Sequence, residues 1–201
     1  MAKPSSSSSQ SLVKFMILFI LVICLYMVLE TDYINDVKFV KAKVDNNTYL
    51  VRNTKDAAEA ANLLAKMRIK LTEVVELLHK LYPADPRTQR LKARFRPFKV
   101  SESTVSSQYT SYSVNKGEKI VFCLRSKDKN QELHDFDTLT FVGLHELAHL
   151  MTVSIGHTTE FWDNFRFILK NCIEHKLYTH QDFRAKPVRY CGTDITDSPA
   201  F

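Results

Sequence analysis

Cysteine is sparse in this chain: four among 201 residues, with no two forming a C-x-x-C pair. That spacing supports neither a second, cysteine-bound metal site nor a dithiol redox motif. No internal repeat is visible, which leaves no repeat architecture to consider. Charge of one sign is in modest excess, a formal +6, and is only mildly informative. Two of the positive charges flank an apolar run, and much of the rest falls on Arg87, Arg90, Lys92, Arg94, Arg96 and Lys99, with no acid among them. The plain reading of that patch is a solvated helix face and loop. The sharper one is contact between residues 87–99 and anionic headgroups or an acidic partner.

Residues 15–29 are fifteen uninterrupted apolar residues, preceded by a Ser-rich leader and Lys14. A bilayer core takes about 20 helical residues; Leu12 and Val13 lengthen the run, and Lys14 can snorkel. A cleaved signal peptide would end at a small-x-small site. The exit Tyr26-Met-Val-Leu-Glu-Thr-Asp offers none, so an uncleaved anchor is expected, in contact with lipid through Phe15 to Leu29. Lys3 and Lys14 precede the span, and Glu30, Asp32 and Asp36 follow it, which by the positive-inside rule keeps the amino terminus cytosolic and places the domain lumenal or extracytoplasmic. The expected organisation is a tail at 1–11, an anchor at 12–30, one catalytic domain at 31–176 and an irregular tail at 177–201. In such a compartment one disulfide is expected, with Cys172 and Cys191 the first pair to test, and Asn46-Asn47-Thr48 is a glycosylation sequon.

The alternation over 37–52, broken at Asp45-Asn46-Asn47, predicts a hairpin. Asn53 or Thr54 then caps a long helix reaching Leu81, with Ala60, Leu64, Met67, Leu71, Val74, Leu78 and Leu81 forming its buried stripe. A short helix is expected over 87–95. A second hairpin follows, its strands at 109–114 and 119–124. Asp135 or Asp137 caps a helix to Thr152, and Thr158 or Thr159 caps another to His175. Gly143 inside the first of these predicts a close backbone neighbour.

The chemistry concentrates at His145-Glu146-Leu-Ala-His149. Residues four apart on a helix lie one turn above each other, so both imidazoles aim at one point, as two zinc ligands do. Glu146, turned about a hundred degrees round the helix, is placed to take a proton from water activated at the metal. Two histidines at this spacing can also be core residues that happen to match. Against that, the flanks Leu139, Phe141, Val142, Leu144, Leu147, Ala148, Leu150 and Met151 make the helix apolar almost all round. A buried histidine pair beside a glutamate then needs a strong compensating partner. His157, after Gly156, is the candidate third ligand. The strand before this helix, Lys119, Ile120, Val121 and Phe122, or its partner, is the candidate for binding an extended substrate by strand addition.

These residues, together with Gly156-His157-x-x-Glu160-Phe161-Trp162, resemble the WLM and SprT-like zinc metallopeptidases, including small WLM-like proteins of large DNA viruses. The resemblance runs over 49–162 and more loosely at Tyr190-Cys-Gly192. It implies an α+β zincin fold, zinc as cofactor, His145, His149 and His157 as ligands, and Glu146 as general base acting on a protein or peptide substrate. The separation of His149 from His157 is longer than the commonest WLM pattern and shorter than that of SprT. A gluzincin arrangement would take Glu160 or Glu174 as third ligand instead. Metzincins fit poorly, having a glycine three after the second histidine and a methionine turn. Tyr178, Tyr190 and His180 are candidates for stabilising an oxyanion. Two rival functions remain: a tethered zinc module that binds peptides without cutting, and a DNA–protein crosslink protease, which requires a nuclear or cytosolic domain. The span argues against nucleic acid as a partner.

Overall fold

The computed structural model describes residues 6–200, so Lys3 lies outside the described residues. Helix α1 (Ser6–Asn35) contains the apolar stretch Gln10–Val28, none of which is buried against the rest of the protein. By length and composition α1 could cross a membrane.

Strands β1 (Val37–Lys41) and β2 (Thr48–Arg52) pair antiparallel as the predicted hairpin, although Phe39 is exposed. Helix α2 (Ala57–Leu81) buries the expected stripe from Ala60 to Leu78, while Leu81 at its end is exposed. It starts later than expected, at the N-cap Asp56, because Thr54 is used elsewhere. Arg125, almost fully buried, donates to Thr54 Oγ1, Asp56 and Glu102, and Glu102 also accepts from the Arg52 backbone amide at 2.7 Å. This buried ion cluster ties the start of α2 to the sheet. Each charge has its counter-charge, which is the condition for burying it.

Helix α3 (Pro86–Arg94) is followed by a three-stranded sheet in the order β3 (Val100–Glu102), β5 (Lys119–Phe122), β4 (Tyr112–Val114). β4 and β5 form the expected antiparallel hairpin, and β3 adds in parallel on the other side. Helix α4 (Phe136–Met151) runs through the core, its N-cap Asp135 accepting from the Thr138 amide at 2.8 Å. Gly143 does meet close neighbours, but these are the side-chain tips of Met67 and Leu71 on α2 rather than backbone. Helix α5 (Thr159–Glu174) begins at the N-cap Thr158.

The irregular tail expected at 177–201 is corrected by the structure. Strands β6 (Val188–Tyr190) and β7 (Thr193–Ile195) form an antiparallel hairpin, and Tyr178, Phe183, Tyr190 and Ala200 are buried in the common core. The disulfide is corrected too: Cys191 is bonded to Cys123, at the end of β5, and Cys172 is a buried free thiol on α5. The hairpin turn carries Cys191 back onto the sheet, whereas Cys172 faces the helix core. Burial pushes the Cys172 thiol up to about 12.

The basic patch is divided: Lys92, Arg96 and Lys99 are exposed, while Arg87, Arg90 and Arg94 are half-buried against the protein. Arg90 donates to Met151 O at 2.6 Å, and Arg94 to Leu150 O and Thr152 O at 2.9 Å, so both satisfy carbonyls at the carboxyl end of α4. Arg87 pairs with Asp85 and lies over the Phe167 ring, and Lys92 pairs with Glu76.

Candidate metal centre and cleft

Helical periodicity on α4 brings His145 and His149 together, with their Nε2 atoms 3.2 Å apart. After Thr152 the chain reverses, and Gly156, at φ +83, allows the turn that returns His157. The His157 Nε2 comes within 3.1 Å of the His145 Nε2, and one ligand atom from each of the three residues lies within 4.8 Å of the others.

Several groups hold this return loop. Lys116, in the β4–β5 turn, donates to the carbonyls of Thr152, Val153 and Ser154. Asn164 donates to Thr152 Oγ1 at 2.9 Å. The Glu160 carboxylate receives the amide protons of Val153 and Ser154 at 2.8 and 2.9 Å. Glu160 is thus a loop clamp and stands outside the histidine cluster, so the gluzincin alternative through this residue is corrected. Glu174 closes the far end of α5 and is not in the cluster either. Beneath the imidazoles, the fully buried Phe161 ring packs against all three, with centroids 4.8, 4.3 and 4.6 Å from His145, His149 and His157.

Two nitrogens bound tetrahedrally at about 2.0–2.1 Å from one zinc ion sit about 3.3 Å apart, close to the two spacings seen here. Protonation states agree with that use. Burial, reinforced by His149 and His157, lowers His145 to about 3; burial, with His157 and Lys116 adding, lowers His149 to about 4. Both imidazoles are therefore neutral near pH 7, the form that binds metal.

Glu146 is almost wholly buried; burial by itself raises its carboxyl to about 8, against the opposing pull of the Ser113 backbone amide, and a cation held by the three histidines would lower it again to the ionised form that accepts a proton near pH 7. Its Oε2 has no hydrogen-bond partner in the protein. A buried carboxylate oxygen without a donor, beside three converging imidazoles, fits a site completed by a cation and water.

The cluster opens into a cleft of 590 Å³. One wall is β4 with its flanks, Thr110 to Ser113, then Asn115 and Lys116; another is the β6–β7 hairpin, through Tyr190, Thr193 and Ile195. The strand expected to take substrate is corrected accordingly. β5, with Lys119, Ile120, Val121 and Phe122, is hydrogen-bonded on both sides, so it has no edge to offer. The edge strand on the cleft is its partner β4. Of the oxyanion candidates only Tyr190 lines the cleft, and its hydroxyl is engaged, 2.9 Å from Cys123 O and 2.6 Å from Ser111 Oγ. Tyr178 packs on Phe141, and His180 lines a separate small recess.

Lys116, Thr193 and Ile195 carried no functional expectation from sequence, and Ser113 only that of a residue in the alternative substrate strand. The hairpin wall had a readable signal, Val-x-Tyr and Thr-x-Ile flanking Cys191-Gly192. The roles of Ser113 and Lys116 depend on partners far along the chain and had none.

The WLM domain family model matches residues 42–200. An uncharacterized protein of Acanthamoeba polyphaga mimivirus is 32% identical over 184 residues, 90% of this chain and 93% of that protein. An uncharacterized protein of Invertebrate iridescent virus 6 is 33% identical over 69 residues, 34% of this chain and 38% of its own length. Among solved structures, Wss1 from Saccharomyces cerevisiae superposes with a TM-score of 0.45 at 20% identity, over 63% of this chain and 88% of that one.

Proposed function

Because the chain belongs to the WLM domain family, we propose that it is a zinc-dependent metallopeptidase of zincin type, tethered to a bilayer by α1, that hydrolyses peptide bonds of proteins or peptides laid along β4. The observation that carries the reading is the convergence of three imidazole nitrogens beside the partnerless Glu146 Oε2. His145, His149 and His157 would hold the ion. When bound, zinc supplies a Lewis acid that polarises the scissile carbonyl and makes water nucleophilic at neutral pH.

The chain's own residues do the rest. Glu146 receives the proton of the attacking water and delivers it to the departing amine, so its charge is restored at the end of the cycle. The Ser113 amide bonds the Glu146 carboxyl, whose Oε2 has no protein partner and is left for the water. Phe161 packs the imidazole rings in place. β4 presents a strand edge on which an extended peptide can add by main-chain hydrogen bonds.

The span and the Cys123–Cys191 disulfide favour a domain facing an oxidising, extracytoplasmic space.

Glu146→Gln keeps the shape of the site and removes the proton acceptor. The full chain carrying it is expected to retain one zinc per chain while cleavage of an unfolded protein substrate drops by roughly 10²–10⁴-fold. Wild-type rates in that variant would rule out the assignment of Glu146. A wild-type chain that binds zinc and peptide stoichiometrically but never cuts would instead be a binding module.

A further inference from the structure

A second recess, of 540 Å³, lies beside the metal cleft, and Phe141, His145 and Ile195 line both. Its apolar lining is Phe141, Phe165, Trp162, Ile195 and Pro199. Phe141 and Phe165 are buried, with ring centroids 5.3 Å apart, while Trp162 is 41% exposed. The charged groups around it are already matched. Arg184 makes a two-pronged pair with Asp197, at 2.7 and 2.9 Å; Arg166 bonds Asp163 at 2.9 Å; Asp194 bonds Arg189 at 3.0 Å. A charged side chain entering the recess would have to compete with these exposed pairs for a counter-ion, and so would gain little there. An aromatic or branched apolar side chain needs no counter-ion and would cover the exposed indole face.

We propose that this recess is the primary specificity pocket, taking an uncharged aromatic or branched apolar side chain of the substrate residue next to the scissile bond. The inference rests on the peptidase reading for the word substrate. The shared wall carries the adjacency: His145 belongs to the metal centre and to the recess at once, so a peptide whose carbonyl reaches the histidines has its neighbouring side chain at the mouth of the recess. Trp162 is then a specificity residue, touching the substrate side chain and not the reacting atoms.

Trp162 is the chain's single tryptophan, and because its ring also lies 5.7 Å from that of His157, its emission is compared only among peptides that differ in one side chain, at a fixed zinc load. The zinc-loaded full chain carrying Glu146→Gln, in lipid nanodiscs, is titrated with Gly/Ala peptides that contain one Phe, Leu, Lys or Asp. Phe and Leu peptides are expected to change the emission saturably, at concentrations at least about tenfold below any response to Lys or Asp peptides. Equal responses to all four, or none to Phe and Leu, would overturn the pocket.

With Glu146 intact, cleavage-site mapping on a peptide library should place Phe or Leu at one fixed position beside the cut. Trp162→Ala should flatten that preference, and Trp162→Glu should move it toward Lys. Cutting without an apolar preference, or an unchanged preference in both variants, overturns the pocket and leaves the peptidase standing. A saturable Phe-dependent response in a chain that never cuts does the reverse.

Discussion

Glu160 bears on the proposed metal centre without belonging to the histidine cluster. Its carboxylate is lowered to about 2, first by the Val153 amide and then by the amide and hydroxyl of Ser154. A folded-state value below the unfolded one means the clamp's contribution is present above about pH 4.5 and is lost as pH falls toward 2. The loop it closes presents His157. At pH 7, Glu160→Gln is therefore expected to lower zinc affinity by up to roughly tenfold, about 1.4 kcal/mol, read by competition with a chelator. Identical affinities would show that the other contacts hold the loop unaided. At this scale His145, Glu146 and His149 were legible because helix periodicity alone decides where residues four apart point. His157 was legible from the glycine before it and from the family resemblance. The role of Ser113 was not, and Tyr190 was singled out only as an oxyanion candidate, whereas its hydroxyl is engaged by Cys123 O and Ser111 Oγ once the sheet and hairpin have formed.

Among the elements, the two glycines that touch other elements differ in what surrounds them. A Cβ at Gly117, in the β4–β5 turn at φ +114, would sit 2.4 Å from the Arg94 carbonyl oxygen, which is backbone and cannot give way. Gly117→Ala is expected to cost about 2–4 kcal/mol, as backbone strain adds to overpacking. A Cβ at Gly143 would meet Met67 Cε at 2.8 Å and Leu71 Cδ2 at 2.9 Å, the movable ends of flexible chains. Alanine's helix preference, about 1 kcal/mol over glycine, offsets part of that crowding, so Gly143→Ala should cost about 1 kcal/mol. Urea unfolding of both variants checks the order, and a Gly143 variant weaker than the Gly117 one would mean that α2 and α4 cannot adjust. The long helices were readable because many turns repeat one pattern. β3, of three residues and paired in parallel with a strand that is not its chain neighbour, had no such repetition.

For the whole molecule, the Cys123–Cys191 bond closes a loop of 68 residues and holds the β6–β7 hairpin, a wall of both the cleft and the second recess, against the sheet. Chain entropy puts the loss on replacing both cysteines by serine at about 4 kcal/mol. Denaturation of the Cys123→Ser, Cys191→Ser chain measures it, and peptide mapping should find Cys172 unlinked and alkylated only after unfolding. A Cys172–Cys191 crosslink would contradict the structure. Orientation has its own reporter. Asn46 is exposed in the β1–β2 turn, at φ +60. Synthesis with sealed microsomes should add one glycan at Asn46 and protect the domain from protease, and an unmodified, digested domain would place it on the cytosolic side.

The sequence by itself determined what periodicity and local chemistry can encode: an apolar helix at the amino terminus, the stripe of α2, the starts of α4 and α5 to within two residues, and the histidine pair with its glutamate. Only the tertiary structure decided that β4 rather than β5 is the open edge, that Cys191 pairs with Cys123, that Arg90 and Arg94 cap the carboxyl end of α4, and that residues 190–195 wall the cleft. Each of those depends on which distant segments come together, and contacts of that range leave no trace in the spacing of neighbouring residues.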